Sequence, residues 1–287
     1  MKKITGLLLG AYLLVGGLGV AVTQETTPPP KVLSIIREFV KPGKSGAVHE
    51  KSESAFVQAV TRAKWPTHYL AVSSITGRPR VLFLTGYDSF AAWEKDVLAT
   101  QKNATLSVAL DRAAVADGEL LSDYDSSALV YSDEYSLRSA VDIPHMRYFE
   151  ISLYRVRPGH DDDWDKIVKM VKAAYEKIPD VHFATYYAQF GQEGTTYVVF
   201  TPMKSAAEVD QSFAQDKQFM ANMGEDGMKK FSELLAASIE FSQHNLFAFS
   251  PSMSYVDDEW IKADPDFWKP KASAAPKKAA EKPATAQ

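Results

Sequence analysis

Val40-Lys41-Pro42-Gly43-Lys44 and Val156-Arg157-Pro158-Gly159-His160 lie 116 residues apart in a chain of 287 and carry one pattern. In each, an apolar residue and a basic residue precede Pro-Gly, which ends an extended run in a turn. At the same offset, without a gap, Val81-Leu82-Phe83-Leu84-Thr85 meets Tyr197-Val198-Val199-Phe200-Thr201, and Ser89 meets Ser205. Towards the end the offset is 118, where Tyr131-Ser132 and Ser136 meet Phe249-Ser250 and Ser254. Identities are few, yet the order of apolar runs and turn signals repeats throughout, which marks an internal duplication.

Each copy reads β-α-β-β-α-β. In the second, Tyr148 to Val156 alternates as a strand and stops at Pro158-Gly159. Asp161, Asp162 and Asp163 open a helix, where carboxylates suit the positive end of the dipole. Trp164, Ile167, Val168, Val171, Ala174, Tyr175 and Ile178 form its apolar stripe, and Pro179 ends it. Strands over Phe183–Phe190 and Thr195–Thr201 flank a Gly191–Gly194 loop. Ser205 and Glu208 form a capping-box pattern at the start of a helix that runs to about Ile239, with breaks at Gly224 and Gly227. A last strand covers Asn245–Phe249. The first copy follows suit: a strand over Leu33–Val40, and a helix striped by Val48, Ser52, Ala55, Phe56, Ala59 and Val60. A hairpin then joins Tyr69–Ser74 to Arg80–Thr85, helix extends from Ser89 to about Ala116, and a strand covers Ala128–Ser132.

A strand ending in a basic residue plus Pro-Gly, then a helix, in this element order, resembles the dimeric α/β-barrel superfamily. Its members include the antibiotic-biosynthesis-monooxygenase-like and NIPSNAP-like proteins and the haem-dependent chlorite-dismutase-like enzymes. The resemblance spans about residues 31 to 255. It implies an α+β fold in which two tandem ferredoxin-like units, 32–140 and 146–256, pair their sheets into one barrel within a single chain. The physical logic agrees, because a sheet covered by helices on one face needs a partner for the other.

Strand alternation then proposes a site. If Phe149, Ile151 and Leu153 face the helices, Tyr148, Glu150, Ser152 and Tyr154 point into the barrel. Thr185, Tyr187, Gln189 and Tyr197 join them, as do Ser34, Ile36, Glu38, Tyr69, Ala71 and Ser73 from the first copy. The ligand-binding candidates are therefore Glu38, Tyr69, Tyr148, Glu150, Tyr154, Tyr187, Gln189 and Tyr197. Polar groups among aromatics describe a small-molecule pocket, although an interior filled by mutually paired side chains fits the same pattern. Glu150, with Glu38, is the candidate general base or anchor if burial raises its pKa.

The six histidines, His49, His68, His145, His160, His182 and His244, include no H-x-x-x-H pair, so no metal site is expected. No cofactor is expected from the residues either. The resemblance leaves haem open, but none of these histidines sits in a haem-ligand motif of that group, and the Asn, Trp and His set of the haem-degrading monooxygenases is not recognisable. Gly43-Lys44-Ser45 imitates a P-loop end, but Glu38 stands where the first glycine belongs. No G-x-S-x-G elbow occurs.

The termini suggest export. Lys2 and Lys3 precede an apolar run from Ile4, and Gly19 and Ala21 suit a cleavage site, so residues 1–22 read as a signal peptide. An uncleaved anchor is the alternative, and either reading puts the folded part in the periplasm or outside the cell. Residues 23–31 form a Pro-rich linker, 257–268 a Trp-rich strap, and 269–287 a Lys/Ala/Pro tail expected to be disordered. Cysteine is absent, which excludes disulfides, thiolate metal sites and a lipidated N-terminal cysteine. The whole chain is −4; the signal carries +2 and the tail +4, which leaves a folded core of about −10. An acidic core argues against a nucleic-acid partner. The expectation is a monomeric fused barrel, not stably inserted in a membrane after cleavage, that binds a small molecule. An oxygenase using the same cavity is the alternative, and an envelope interaction module acting through strap and tail is another. Whether the barrel associates further is left open.

Overall fold

The Pro-Gly turns behave alike. In the computed structural model, which describes residues 26–269, Lys44 N donates to Lys41 O at 3.0 Å and His160 N donates to Arg157 O at 3.1 Å. Gly43 and Gly159 take φ values of 75° and 83° at the third turn position, where a side chain would be strained. From these turns the chain enters α1 (Ala47–Ala63) and α4 (Asp161–Tyr175), which follow β1 (Val32–Val40) and β5 (Tyr148–Val156). The first unit continues with β2 (Leu70–Ser74), β3 (Arg80–Tyr87), α2 (Phe90–Lys102), α3 (Ala104–Gly118) and β4 (Leu121–Leu137). The second continues with β6 (Phe183–Phe190), β7 (Thr195–Met203), α5 (Ala207–Ser238) and β8 (Ile239–Phe249).

All strand pairs are antiparallel, and the described residues close into an eight-stranded barrel in the order β1-β3-β2-β8-β5-β7-β6-β4. Each unit contributes the ferredoxin-like order, β4-β1-β3-β2 and β8-β5-β7-β6. Two seams join the units, β2 to β8 and β4 to β6. The fold is thus α+β, a dimeric-type α/β barrel made by one chain. Residues 1–22, expected to be a signal peptide, and residues 270–287 of the expected tail lie outside the described residues. No helix among the described residues is long and apolar enough to cross a membrane.

The last strands β4 and β8 exceed their sequence-based lengths. Their polar first halves, such as Asp123, Asp125, Ser242 and Gln243, still pair along β1 and β5. Backbone pairing needs no apolar side chain, so hydropathy missed them. The first unit's long helical stretch is two helices, parted at Asn103, whose side chain caps α3 by accepting from Leu106 N. The helix after Ser205 begins at Ala207 without a side-chain cap, although Glu208 accepts from Lys204 N at 2.7 Å. Gly224 leaves helical geometry at φ 72°, whereas Gly227 does not interrupt the helix.

Which sheet face lies inside reverses the expectation. One apolar cluster draws on all eight strands: Leu33, Ile35, Leu70, Val72, Leu82, Leu84, Leu129, Phe149, Ile151, Ala184, Tyr186, Val198, Phe200, Phe247 and Phe249. Only the barrel interior is shared by every strand, so Phe149 and Ile151 point inward. Glu150, Ser152 and Tyr154, with Glu38 and Tyr69, point outward to the helices. The interior holds apolar side chains instead of the expected polar set, and one barrel mouth opens into a cavity of about 780 Å³ lined by Leu33, Leu70, Leu84, Phe149, Tyr186 and Phe200. An eight-stranded barrel is just wide enough for side chains to fill it, and each large apolar group buried there stabilises by about 1.5–3 kcal/mol. The polar faces can instead meet partners carried on amphipathic helices.

Residues 257–268 form two short helices, α6 (Asp258–Ala263) and α7 (Pro265–Trp268). Trp260, Phe267 and Trp268 join the barrel cluster, and Trp268 Nε1 donates to Pro144 O at 3.0 Å. The linker is tied down as well, with Thr27 N donating to Val141 O at 2.9 Å and Tyr186 donating to Pro30 O at 3.2 Å.

Candidate functional site

In the second unit α4 and α5 do not lie flush on the sheet. Between them and β5, β7 and β8 is a cavity of about 890 Å³. Alternation along β5 brings Glu150, Ser152 and Tyr154 to its floor, and the register places His244 of β8 opposite Ser152. Ser152 Oγ lies 2.8 Å from His244 Nδ1 and 3.2 Å from Glu150 Oε1. His244 Nδ1 is 3.7 Å from the same carboxylate oxygen. The α4 stripe supplies the facing wall: Trp164, Val168, Val171 and Tyr175. Trp164 is fixed by stacking on Tyr197, with ring centroids 4.6 Å apart, and its indole N–H has no hydrogen-bond partner.

The nearby His244 imidazole is the main cause holding the Glu150 carboxyl below its usual range; partial burial opposes it and Ser152 helps. Glu150 is therefore a carboxylate, not a carboxyl raised by burial. Burial foremost, then the Glu150 charge, pushes the Tyr154 hydroxyl up to about 12, so it is a neutral donor. Ser152 sits between acid and imidazole. In a nucleophilic triad the imidazole stands between the other two, so this trio lacks that order.

The corresponding interface of the first unit has no such opening. There Glu38 of β1 meets His49 and Glu53 of α1 and Asp117 of α3, all buried. His49 Nε2 lies 3.1 Å from Glu38 Oε2, 3.5 Å from Asp117 Oδ1 and 3.8 Å from Glu53 Oε1. Burial, then the Glu38 and Asp117 charges, pushes the Glu53 carboxyl up to about 9. Burial also disfavours charge on His49, but the close approach of Asp117, the hydrogen bond with Glu38 and the Glu53 charge overcome it and raise the imidazole to about 10. Glu38 is raised by burial, against the pull of His49. These four are the described side chains grouped closely enough to hold a metal ion.

The eight sequence candidates therefore separate. Glu150 and Tyr154 line the second-unit cavity, and Tyr197 lies behind Trp164. Glu38 belongs to the first-unit cluster, with Tyr69 packed beside Phe83 and Tyr255. Tyr148 is half-buried at the start of β5, and Tyr187 and Gln189 are exposed. Trp164, Tyr175, His49, Glu53 and Asp117 were missed as site residues. The i,i+4 spacing of His49 and Glu53 was a readable signal; the approach of Asp117, 64 residues beyond Glu53, was not.

No family model matches the chain, and no curated protein matches it. Solved structures do. An anthrone oxidase-like protein, 15% identical, aligns over 77% of this chain and 92% of its own with a TM-score of 0.50. A chlorite dismutase variant from Candidatus Nitrospira defluvii, 8% identical, aligns over 82% and 95% with a TM-score of 0.48. A proposed monooxygenase from Fusobacterium nucleatum subsp. nucleatum, 11% identical, aligns over 77% and 93% at 0.47. The shared property is the fold: two ferredoxin-like units that close into a dimeric-type α/β barrel, here with both halves in one polypeptide.

Proposed function

We propose that this is an exported small-molecule-binding protein whose ligand occupies the sheet–helix cavity of the second unit, and that the ligand is an apolar or aromatic molecule, neutral or cationic. The observation that carries this reading is the chemistry of the wall. Trp164, Tyr154, Tyr175 and Phe231 offer aromatic surface, while Glu150, Asp180, Glu208 and Glu240 offer negative charge. No Lys or Arg is among the lining residues. Aromatic faces beside carboxylates attract organic cations, and a pocket of this size lined by both apolar and polar side chains can enclose a small ligand.

Haem suits this wall poorly. His244 has Nδ1 engaged by Ser152, which leaves Nε2 free, but two propionates would face four carboxylates and no cation. His182 is not available as a ligand, because both ring nitrogens contact backbone carbonyls, of Asp180 and Pro202. The interaction reading loses its support from the strap, whose Trp and Phe side chains are spent inside the barrel cluster. Export rests on the Lys2-Lys3 and apolar N-terminal pattern. A mature N-terminus near residue 22 in periplasmic protein would support it, and a full-length mass in the cytoplasm would refute it.

Calorimetric titration with 4-phenylbutylamine and with 4-phenylbutyrate tests the ligand class. The amine should bind the wild type and lose affinity about tenfold in Glu150→Gln, in line with one charge-assisted contact. Equal or stronger binding of the carboxylate, or binding of neither, overturns the reading. A Soret band in protein purified from its own source would replace it with a haem-dependent one.

A further inference from the structure

A second site emerges in the other unit, from side chains that the proposed ligand cavity does not use. Glu38, His49, Glu53 and Asp117 are 7%, 1%, 3% and 2% exposed. Three carboxylates and one imidazole thus share a space closed to water. One donor atom from each lies within 4.8 Å of every other. An ion bonded at roughly 2.0–2.2 Å to four such atoms sets them about 3.0–3.6 Å apart, or about 4.2 Å when opposite. The distances of 3.1, 3.5 and 3.8 Å around His49 Nε2 are already close to those values.

The second observation is the state of the carboxylates. Glu53 Oε1 and both Asp117 oxygens are buried without a hydrogen-bond partner. Unpaired buried carboxylate oxygens are costly, and the surrounding shell supplies no Lys or Arg to them. His49 cannot answer all three, since its Nε2 presents one N–H and lies best placed for Glu38. What the cluster lacks is a centre that can bond to all three carboxyl groups at once.

We propose that Glu38, His49, Glu53 and Asp117 bind a divalent first-row transition-metal cation. One nitrogen and three carboxylate oxygens form a borderline-to-hard donor set that suits Zn²⁺, Mn²⁺ or Fe²⁺ and disfavours Cu⁺. Four protein donors with no open approach make a closed, structural site. The ion ties β1, α1 and α3 together, because the donors come from all three elements. The ligand atom on His49 is Nε2, and it and the carboxyl groups must all be free of protons to bind the ion, so binding releases protons.

The test uses the full chain without an affinity tag, stripped with a chelator and then titrated separately with zinc sulfate and manganese chloride. Binding is read by calorimetry and by thermal melts. The wild type should take up a single ion per chain of at least one metal, with a rise in Tm. Glu53→Gln keeps the size of the side chain but cannot become an anionic donor, so it should weaken binding at least tenfold and abolish the metal-dependent rise. If that variant fails to fold, Asp117→Asn serves the same purpose. If neither folds, the wild-type titration alone decides. Failure of both ions to bind the wild type overturns the proposal, as does equal binding by a folded variant. A higher Tm for Glu53→Gln with no ion bound by either protein also overturns it, and identifies a proton shared between Glu53 and Asp117.

Discussion

The two units share a backbone plan and differ in what fills the space between sheet and helices. In the first, β1, α1 and α3 close over Glu38, His49, Glu53 and Asp117. In the second, β5, α4 and α5 stand apart around a cavity, where the Glu150 and His244 side chains are about half exposed and Ser152 between them is buried. At the offset of 116, Glu38 corresponds to Tyr154, His49 to Asp165 and Glu53 to Lys169. Lys169 and Asp165 pair at the surface, 2.8 Å apart. One i,i+4 pair thus points into a core in one unit and to solvent in the other. A duplicated fold has kept its strands and turns while its two sheet–helix interfaces took different chemistry.

Disrupting the closed side should cost most. His49→Ala leaves three carboxylates buried around a void, so a loss of about 3–5 kcal/mol in urea unfolding is expected. A loss below about 1 kcal/mol would show that the cluster is not a closed polar core. The paired turns should respond equally. Nothing lies within 4 Å of a Cβ added at Gly43 or Gly159, so Ala there meets only backbone strain. Each substitution should cost about 1–2 kcal/mol, and unequal costs in parallel denaturation curves would break the equivalence of the two units. On the open side His244→Ala should cost less than about 1 kcal/mol, because its pairing with Glu150 is half exposed. A larger loss would mean that the cavity is closed in solution.

The smallest effect concerns pH. The Glu150 pKa is depressed in the folded state below the usual 4.5. Its contribution is therefore present above that value and is lost as pH falls through the depressed one. Thermal melts of the wild type and Glu150→Gln should differ at pH 6 and converge towards pH 3. Curves that stay parallel would place Glu150 outside any contact with His244.

The repeat was legible because turns and strands have local causes. Pro-Gly needs a positive φ at glycine wherever it makes this turn, and β5 and β6 have the bounds that their residues announce. The site was only half legible. Alternation along β5 correctly separated Glu150, Ser152 and Tyr154 from Phe149, Ile151 and Leu153, but it does not say which set is inside. Both faces of the sheet are covered, one by the opposing sheet and one by helices. Likewise Glu38 was singled out as an acid on a strand, while its partners lay 11, 15 and 79 residues away.

By itself the sequence determined the duplication, the βαββαβ order, the turns and the two-faced strands. These depend on backbone preference and on the spacing of neighbours along the chain. Only the tertiary structure decided that the apolar faces fill the barrel, that His49 meets three carboxylates, and that a cavity opens beside Trp164. Those outcomes follow from closing eight strands into a barrel whose apolar faces pack against one another inside. That closure sends the polar faces outward, where the packing of each helix pair sets the chemistry of the space beneath it.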